Sequence, residues 1–288
     1  MSMSLVLREL FGSELLTIRH AVARPSLSRG DDVPRGTADL MLLPISGVFA
    51  KHESPKRHGH IIANSNHALF FGHGKDYRIS FPGHIGDESL VFAFSQSALA
   101  ELLAQTVGAE QLYSDHLNTH SLLAPCTILQ RELLWRHLKS GVFDRLAIEE
   151  LSMAMLTTSL LAACKDSRSA DRARHSFTLA RRRQQVELVK ELISLHPEQD
   201  WALGDLAREA AVSPYHLVRV FREEVGVPVH HYLVRTRLGR GLEGMRSPDA
   251  GLTDIALEAG FANHSHFTSH FRTTFGTTPS QFRKAMPA

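Results

Sequence analysis

Residues 264–275 read HSHFTSHFRTTF. Placed at 100° per residue, Phe267, Phe271 and Phe275 share one stripe, Ser265, His266, Ser269 and Thr273 lie opposite, and Arg272 sits at the boundary. The aromatic stripe is core. The polar stripe carries hydroxyls, imidazoles and a guanidinium, groups that pair with base edges and neutralise phosphates. An earlier stretch, PYHLVRVFREEV at 214–225, divides in the same way: Leu217, Val220 and Phe221 inward, Tyr215, Arg219 and Arg222 outward. On a lone helix a polar face is ordinary solvated surface, so the recurrence carries the weight.

The recurrence is an internal duplication. DLAREAAVSPYHLVRVFREEVGVP (205–228) lies over DIALEAGFANHSHFTSHFRTTFGTTP (254–279). Asp205 matches Asp254 and Ala207 matches Ala256; after one added residue in the turn, Leu217 matches Phe267, Phe221 Phe271, Arg222 Arg272 and Gly226 Gly276. A short helix, a tight turn and a longer helix, written twice, predict two helix-turn-helix units. Ala207 and Ala256 are small where helices cross. Ser213 before Pro214, and Asn263, are N-caps, and Gly226 and Gly276 are C-terminal stops. The turn residues differ: Gly260 takes a left-handed conformation without cost and Ala211 does not, so the first turn is expected to be built differently or under slight strain.

Between the copies, residues 229–246 predict a connector helix of roughly 27 Å, enough to hold two reading helices about one duplex turn apart. Arg235, Arg237 and Arg240 lie along it, either near phosphates or as solubilising charge. Helical periodicity also covers 177–195, 203–211, 214–225, 254–260 and 264–275, with a short last helix from Ser280.

Residues 184–284 resemble the DNA-binding domain of the AraC/XylS family of bacterial transcription regulators. The resemblance rests on DLAREAAVSPYHLVRVFREEVG and IALEAGFANHSHFTSHFRTTFGTTPSQFRK. It implies base contacts from Tyr215, Val218 and Arg219 in the first reading helix and from His264, Ser265, His266 and Ser269 in the second; helical geometry adds Arg222 and Arg272. Two departures stand out. Gly239, Gly241 and Gly244 in the connector each cost about 1 kcal/mol of helix propensity and imply a looser relative placement of the two units. Ala202 stands where a Ser or Thr cap is usual, so that helix is expected to fray or to borrow Asp200.

The front of the chain is different. Up to about residue 95, short apolar runs punctuated by Gly, Pro, Asn and His predict strands and turns of a sandwich or barrel. Helices follow at SALAELLAQT, CTILQRELLWRHLKSG and DRLAIEELSMAMLTTSLLAAC, the last apolar on more than one side, suited to packing on the β-core, to pairing subunits, or to both. Residues 165–176, KDSRSADRARHS, read as a linker. The expected fold is therefore two-domain. Residues 1–164 form a β-rich domain with following helices, which the resemblance makes a cupin-like jelly roll for effector binding and dimerisation; residues 177–288 form an all-α DNA-binding domain with two helix-turn-helix units and a connector helix.

Charge is weakly informative. The chain of 288 residues carries a net +2, with the front 164 residues at −2 and residues 177–288 at +2 with seven histidines that can gain protons near a polyanion. Cys126 and Cys164 fit no disulfide framework or zinc pattern and read as small buried hydrophobes. The N-terminus has Arg8, Glu9 and Glu14 where a signal peptide needs apolar residues, and no run of eighteen consecutive apolar residues occurs. A cytoplasmic protein is expected, with no membrane partner.

Six histidines, His52, His58, His60, His67, His73 and His84, crowd into residues 52–84. A metal-dependent cupin enzyme needs an H-x-H pair and a nearby carboxylate; His58 and His60 supply the pair, but the next acid, Asp76, is too distant in sequence. Neither G-x-S-x-G, nor a Walker loop, nor H-E-x-x-H is present. The expectation is no enzyme and no cofactor. A metal enzyme through His58 and His60 is the competing reading, and a regulator without any small ligand is a third. Strand positions with polar handles suggest His60, Phe71, Tyr77 and Arg78 as an effector-binding set. The resemblance implies double-stranded promoter DNA, RNA polymerase, a small organic effector and a homodimer as partners, with activation the usual outcome.

Overall fold

The computed structural model describes residues 4–25, 39–52, 60–72, 74, 77–106, 120–141, 144–170 and 177–285. In the front half they form strands β1 (Ser4–Gly12), β2 (Leu16–Arg24), β3 (Leu40–Gly47), β4 (Phe49–His52), β5 (His60–Ala63), β6 (His67–Phe71), β7 (Arg78–Ser80), β8 (Asp87–Phe94) and β9 (His120–Leu122). All pairings are antiparallel, in a six-stranded sheet ordered β1-β2-β8-β3-β6-β9 and a three-stranded sheet ordered β5-β4-β7. Helix α1 (Gln96–Thr106) follows β8, and α2 (Pro125–Ser140) and α3 (Arg145–Ala170) follow β9.

Period-two alternation explains the layering. Met41, Leu43, Ala68 and Phe70 face one core with α2 and α3, while Leu40, Leu42, Leu69 and Phe71 face a second, smaller core with Phe49 and Phe81. Covered on both sides, β3 and β6 are mostly apolar, with His67 the buried polar exception at the start of β6. Pro44 interrupts β3 where the β3–β8 register shifts, a place that tolerates a residue without an N–H.

The rear half is helical: α4 (Phe177–Leu195), α5 (Leu203–Glu209), α6 (Pro214–Val225), α7 (Val229–Gly244), α8 (Leu252–Glu258), α9 (His264–Phe275) and α10 (Pro279–Ala285). It holds two cores. Val186, Val189 and Ile193 of α4 pack with Leu206, Ala207, Leu217, Phe221, Tyr232 and Leu233, enclosing the first helix-turn-helix. The second is enclosed by Leu238, Leu242, Ile255, Phe261, Phe267, Phe271 and Phe282, and this cluster runs without a break into the front core at α2.

Polar contacts tie the halves together as well. Glu132 of α2 is 1% exposed and accepts from Arg131 and from Arg246, each at 2.8 Å. Burial pushes the Glu132 carboxyl up, but the two guanidinium groups outweigh it and hold it below the usual range. Arg131 also donates to the carbonyl oxygens of Pro44, at 2.6 Å, and of Ser65. The β5–β6 turn inserts Asn64, whose Nδ2 donates to Ser194 Oγ at 2.7 Å and Tyr232 Oη at 3.3 Å. Glu187 accepts from the Ile62 N–H at 2.6 Å and from Lys190 at 2.9 Å. Arg235 donates to the Leu123 carbonyl.

Several sequence expectations change here. Helix α3 continues through 170, so the first half of the expected linker is helical; it contains neither Gly nor Pro to stop it. Residues 171–176 lie outside the described residues. The connector glycines do not loosen the placement. A Cβ at Gly241 would stand 2.7 Å from the Phe267 ring, one at Gly244 3.2 Å from Ile255, and one at Gly239 would meet Ser65 Oγ. They let α7 approach α9, α8 and the front half closely. Arg235 and Arg237 are engaged with backbone carbonyls, and Arg240 pairs with Glu198 at 2.9 Å, so all three have structural partners. No side chain caps α5 at Ala202. Cys126 is exposed in the first turn of α2, contrary to the buried reading, because it lies on the side of that turn opposite the buried Thr127 and Ile128; the Cys164 side chain is outside the described residues. Arg145–Ala163 has the length and mean hydropathy of a membrane span, 1.4. Its Ile148, Met155, Leu156, Leu160 and Ala163 nevertheless belong to the front core.

Two predictions follow from the packing. Phe271→Ala should lower stability by about 3 to 5 kcal/mol, measured by denaturant unfolding; an unchanged midpoint contradicts its core role. His67 is buried, and burial, then the neighbouring Lys190, His120 and Arg235, push its imidazole well below 6.5. Below pH 6.5 the unfolded chain binds a proton that the folded chain does not, so stability is full above that pH and falls as pH drops. His67→Gln should flatten the decline between pH 6.5 and 5 by up to about 1.4 kcal/mol per pH unit; parallel curves for both proteins refute this.

Candidate nucleic-acid interface

The two turns share one construction. The Val212 N–H reaches the Ala207 carbonyl and the Phe261 N–H the Ala256 carbonyl, both at 2.9 Å, and the preceding residues bond Arg208 and Leu257. This six-to-one closure needs a left-handed residue just before its donor. Gly260 supplies it at φ 90° and Ala211 at φ 52°. The first turn is thus strained rather than differently built, by about 1 kcal/mol.

Helices α6 and α9 each start on a side-chain cap. Ser213 Oγ accepts from the His216 N–H at 3.2 Å and Asn263 Oδ1 from the His266 N–H at 2.8 Å. Each ends on a left-handed glycine, Gly226 at φ 79° and Gly276 at φ 75°. Caps at both ends and a buried apolar stripe fix the rotation of α6 and α9 about their axes, and so decide which side chains face solvent.

On α6, Tyr215 is 82% and Val218 43% exposed. With Arg219, Arg222 and Glu223 they line a shallow open hollow. Arg219 lies 3.9 Å from Glu223 across one turn; so weak and exposed a pair leaves the guanidinium free to turn toward another acceptor. On α9, Ser265, His266, Ser269, Arg272 and Thr273 are exposed and His264 is half-buried, its Nε2 3.4 Å from Thr268 Oγ1. His266 and His270 share a hydrogen bond between their Nε2 atoms at 2.9 Å. Burial, then His266, His230, Arg237 and His231, lowers the His270 pKa. Every residue named for DNA contact from the sequence therefore sits on α6 or α9, outside the apolar stripe.

The effector set is less unified. His60 and Arg78 both flank His52 in register, on β5 and β7. Arg78 Nη2 lies 3.4 Å from His52 Nδ1. Burial, then Arg78 and His60, push the His52 pKa down to about 4. Phe71 is buried in the small core, and the partly buried Tyr77 packs on it with ring centroids 4.5 Å apart. The four residues therefore split into a polar pair, His60 half-buried and Arg78 exposed, and an aromatic pair, Phe71 buried and Tyr77 partly buried. His58, His73 and Asp76 lie outside the described residues. Among the described residues, no three or more His, Cys, Asp or Glu side chains converge as metal ligands.

Sequence reasoning missed three polar features, the third being Lys51. The first is the junction of Asn64, His67, Ser194 and Tyr232. The second is the loop after α4, which meets the second turn. Lys51, 0% exposed, donates to the Phe70 carbonyl at 2.7 Å and stands over the Phe71 ring. Its place two residues along β4 from Phe49, on the same face of the strand, was the available signal.

Residues 206–285 match a family model described as a helix-turn-helix domain. Over 160 residues, 56% of this chain, the sequence is 28% identical to an uncharacterized HTH-type transcriptional regulator of Staphylococcus aureus strain COL. That match covers 20% of the relative, so the chain spans about a fifth of its length. Among solved structures, a transcriptional regulator with an AraC-type DNA-binding domain from Chromobacterium violaceum is similar over 36% of this chain and 96% of that one, at 26% identity and a TM-score of 0.34. ToxT from Vibrio cholerae aligns with 95% of this chain and all of its own, at 13% identity and a TM-score of 0.38.

Arg219→Ala should weaken binding to a selected duplex by about 1 to 3 kcal/mol and relax base preference at one or two positions. Competition binding against single-base variants measures both. A uniform loss across all sequences would make Arg219 a phosphate contact instead.

Proposed function

We propose, with the AraC-type helix-turn-helix domain of residues 206–285 as the premise, that this chain is a sequence-specific transcription regulator whose α6 and α9 enter the major groove of promoter DNA. The observation that carries the reading is the pair of capped, rotationally fixed helices, each with an apolar stripe inside and hydrogen-bonding side chains outside. Tyr215, Val218, Arg219 and Arg222 serve the first sub-site, and His264, Ser265, His266, Ser269 and Arg272 the second. Direct readout needs such donors and acceptors at the groove floor, and cations near the phosphates.

The front half, residues 1–164, in this reading binds a small organic effector and pairs two copies, with activation through RNA polymerase as the outcome. Residues 177–288 carry the DNA. His60 and Arg78 beside His52 offer the effector a polar handle at the edge of the small core, where the partly buried Tyr77, packed on Phe71, supplies apolar surface.

Selection of duplexes from a random pool at about 0.15 M salt tests the central claim. A two-part motif should be enriched by the full chain and lost on replacing Arg219 and Ser269 together by Ala. Recovery of no motif would overturn it. A thermal shift across a metabolite panel tests the effector separately, and silence throughout would leave a regulator controlled by its amount or by a protein.

A further inference from the structure

Gly260, in the turn of the second unit, lies against the loop that follows α4. A Cβ there would stand 2.6 Å from Glu198 Cα, 2.8 Å from the Pro197 carbonyl oxygen and 2.9 Å from Arg237 Nε. No side chain fits. Arg237, from the middle of α7, donates to the Pro197 carbonyl at 2.7 Å and the Gln199 carbonyl at 2.9 Å. One turn further along α7, Arg240 pairs with Glu198 at 2.9 Å.

The loop is itself braced. Gln199 N–H bonds the His196 carbonyl at 3.2 Å, Trp201 N–H the Gln199 carbonyl at 2.9 Å, and the Trp201 indole the His196 carbonyl at 2.8 Å. Its two ends are α4 and α5, both in the core of the first unit. A stiff loop of the first unit is thus pressed on the turn that starts the second reading helix, and α7 fastens it there by two arginines.

We propose that residues 197–199, Arg237 and Gly260 form a spacer block that sets the distance and twist between α6 and α9, and so determines which separation of two DNA sub-sites the protein accepts. The inference rests on the DNA-reading role proposed above. Its physical content is geometric. One extra base pair moves the second sub-site by about 3.4 Å and about a tenth of a turn. A rigid pair of helices cannot follow that displacement without losing contacts. A pair joined only through α7 can bend toward it. Arg237 and Glu198 are positioning residues in this scheme, since neither belongs to the exposed faces of α6 and α9.

The test uses the full chain and a duplex library in which the two selected sub-sites are separated by every spacing within three base pairs of the optimum. The wild-type protein should bind the optimum about tenfold or more better than its neighbours, the equivalent of about 1.4 kcal/mol. Arg237→Ala should reduce that ratio to about threefold or less, with base preference inside each sub-site unchanged. Glu198→Ala, which removes the Arg240 pair and leaves the Arg237 bonds to backbone, should give an intermediate profile. A variant with unaltered melting temperature and wild-type sharpness of spacing overturns the inference, as does a wild-type protein indifferent to spacing. Variants that lose base preference within one sub-site also overturn it, because these residues would then act on reading and not on separation. If the wild-type protein selects no sequence at all, the DNA-reading proposal itself is what fails.

Discussion

Helix α7 is a wall shared by three bodies, and the arrangement of the rest depends on how closely they can lean on it. Its first half gives Tyr232 and Leu233 to the core of the first helix-turn-helix, and its second half gives Leu238 and Leu242 to the core of the second. Gly239, Gly241 and Gly244 remove the side chains that would hold Ser65, Phe267 and Ile255 away. Helix propensity is sacrificed at three positions, about 1 kcal/mol each, and close packing at those positions is the return. The side of α7 that faces the front half also carries Tyr232 and Thr236, which accept from Asn64 and Asn66, so one helix touches all three bodies.

Most of the rear half was legible in the sequence. Periodicity placed 177–195, 214–225 and 264–275 at the observed bounds, and the duplicated caps and stops at Ser213, Asn263, Gly226 and Gly276 fell where the side chains and φ values put them. These features are local: a cap is decided within four residues and an apolar stripe within two turns. The outward placement of Tyr215, Arg219, Ser265 and Ser269 could be read for the same reason.

Features that depend on distant partners were not legible. Glycines in a helix look like weak points until the neighbouring ring is seen, and Arg237 looks like surface charge until the loop at Pro197 closes on it. The front half suffered most. The strands β1, β2 and β9 were not singled out, and β9, only three residues long, has too little length to show a period. Phe71 and Tyr77 were named because strand positions and polar handles coincide there; the burial of Phe71 between the two sheets, with Tyr77 packed on it, depends on distant strands.

Ala211 and Gly260 occupy the same place in two copies of one motif, yet they live under different constraints. At 211 the residue is exposed, so the burden is its own backbone torsion, and several small or amide side chains could serve there. At 260 the space for any side chain is already taken by another segment's main chain. A duplication begins as two interchangeable halves; here one half has become free to drift at its turn and the other has not, so a swap of the two turns between copies would succeed in only one direction.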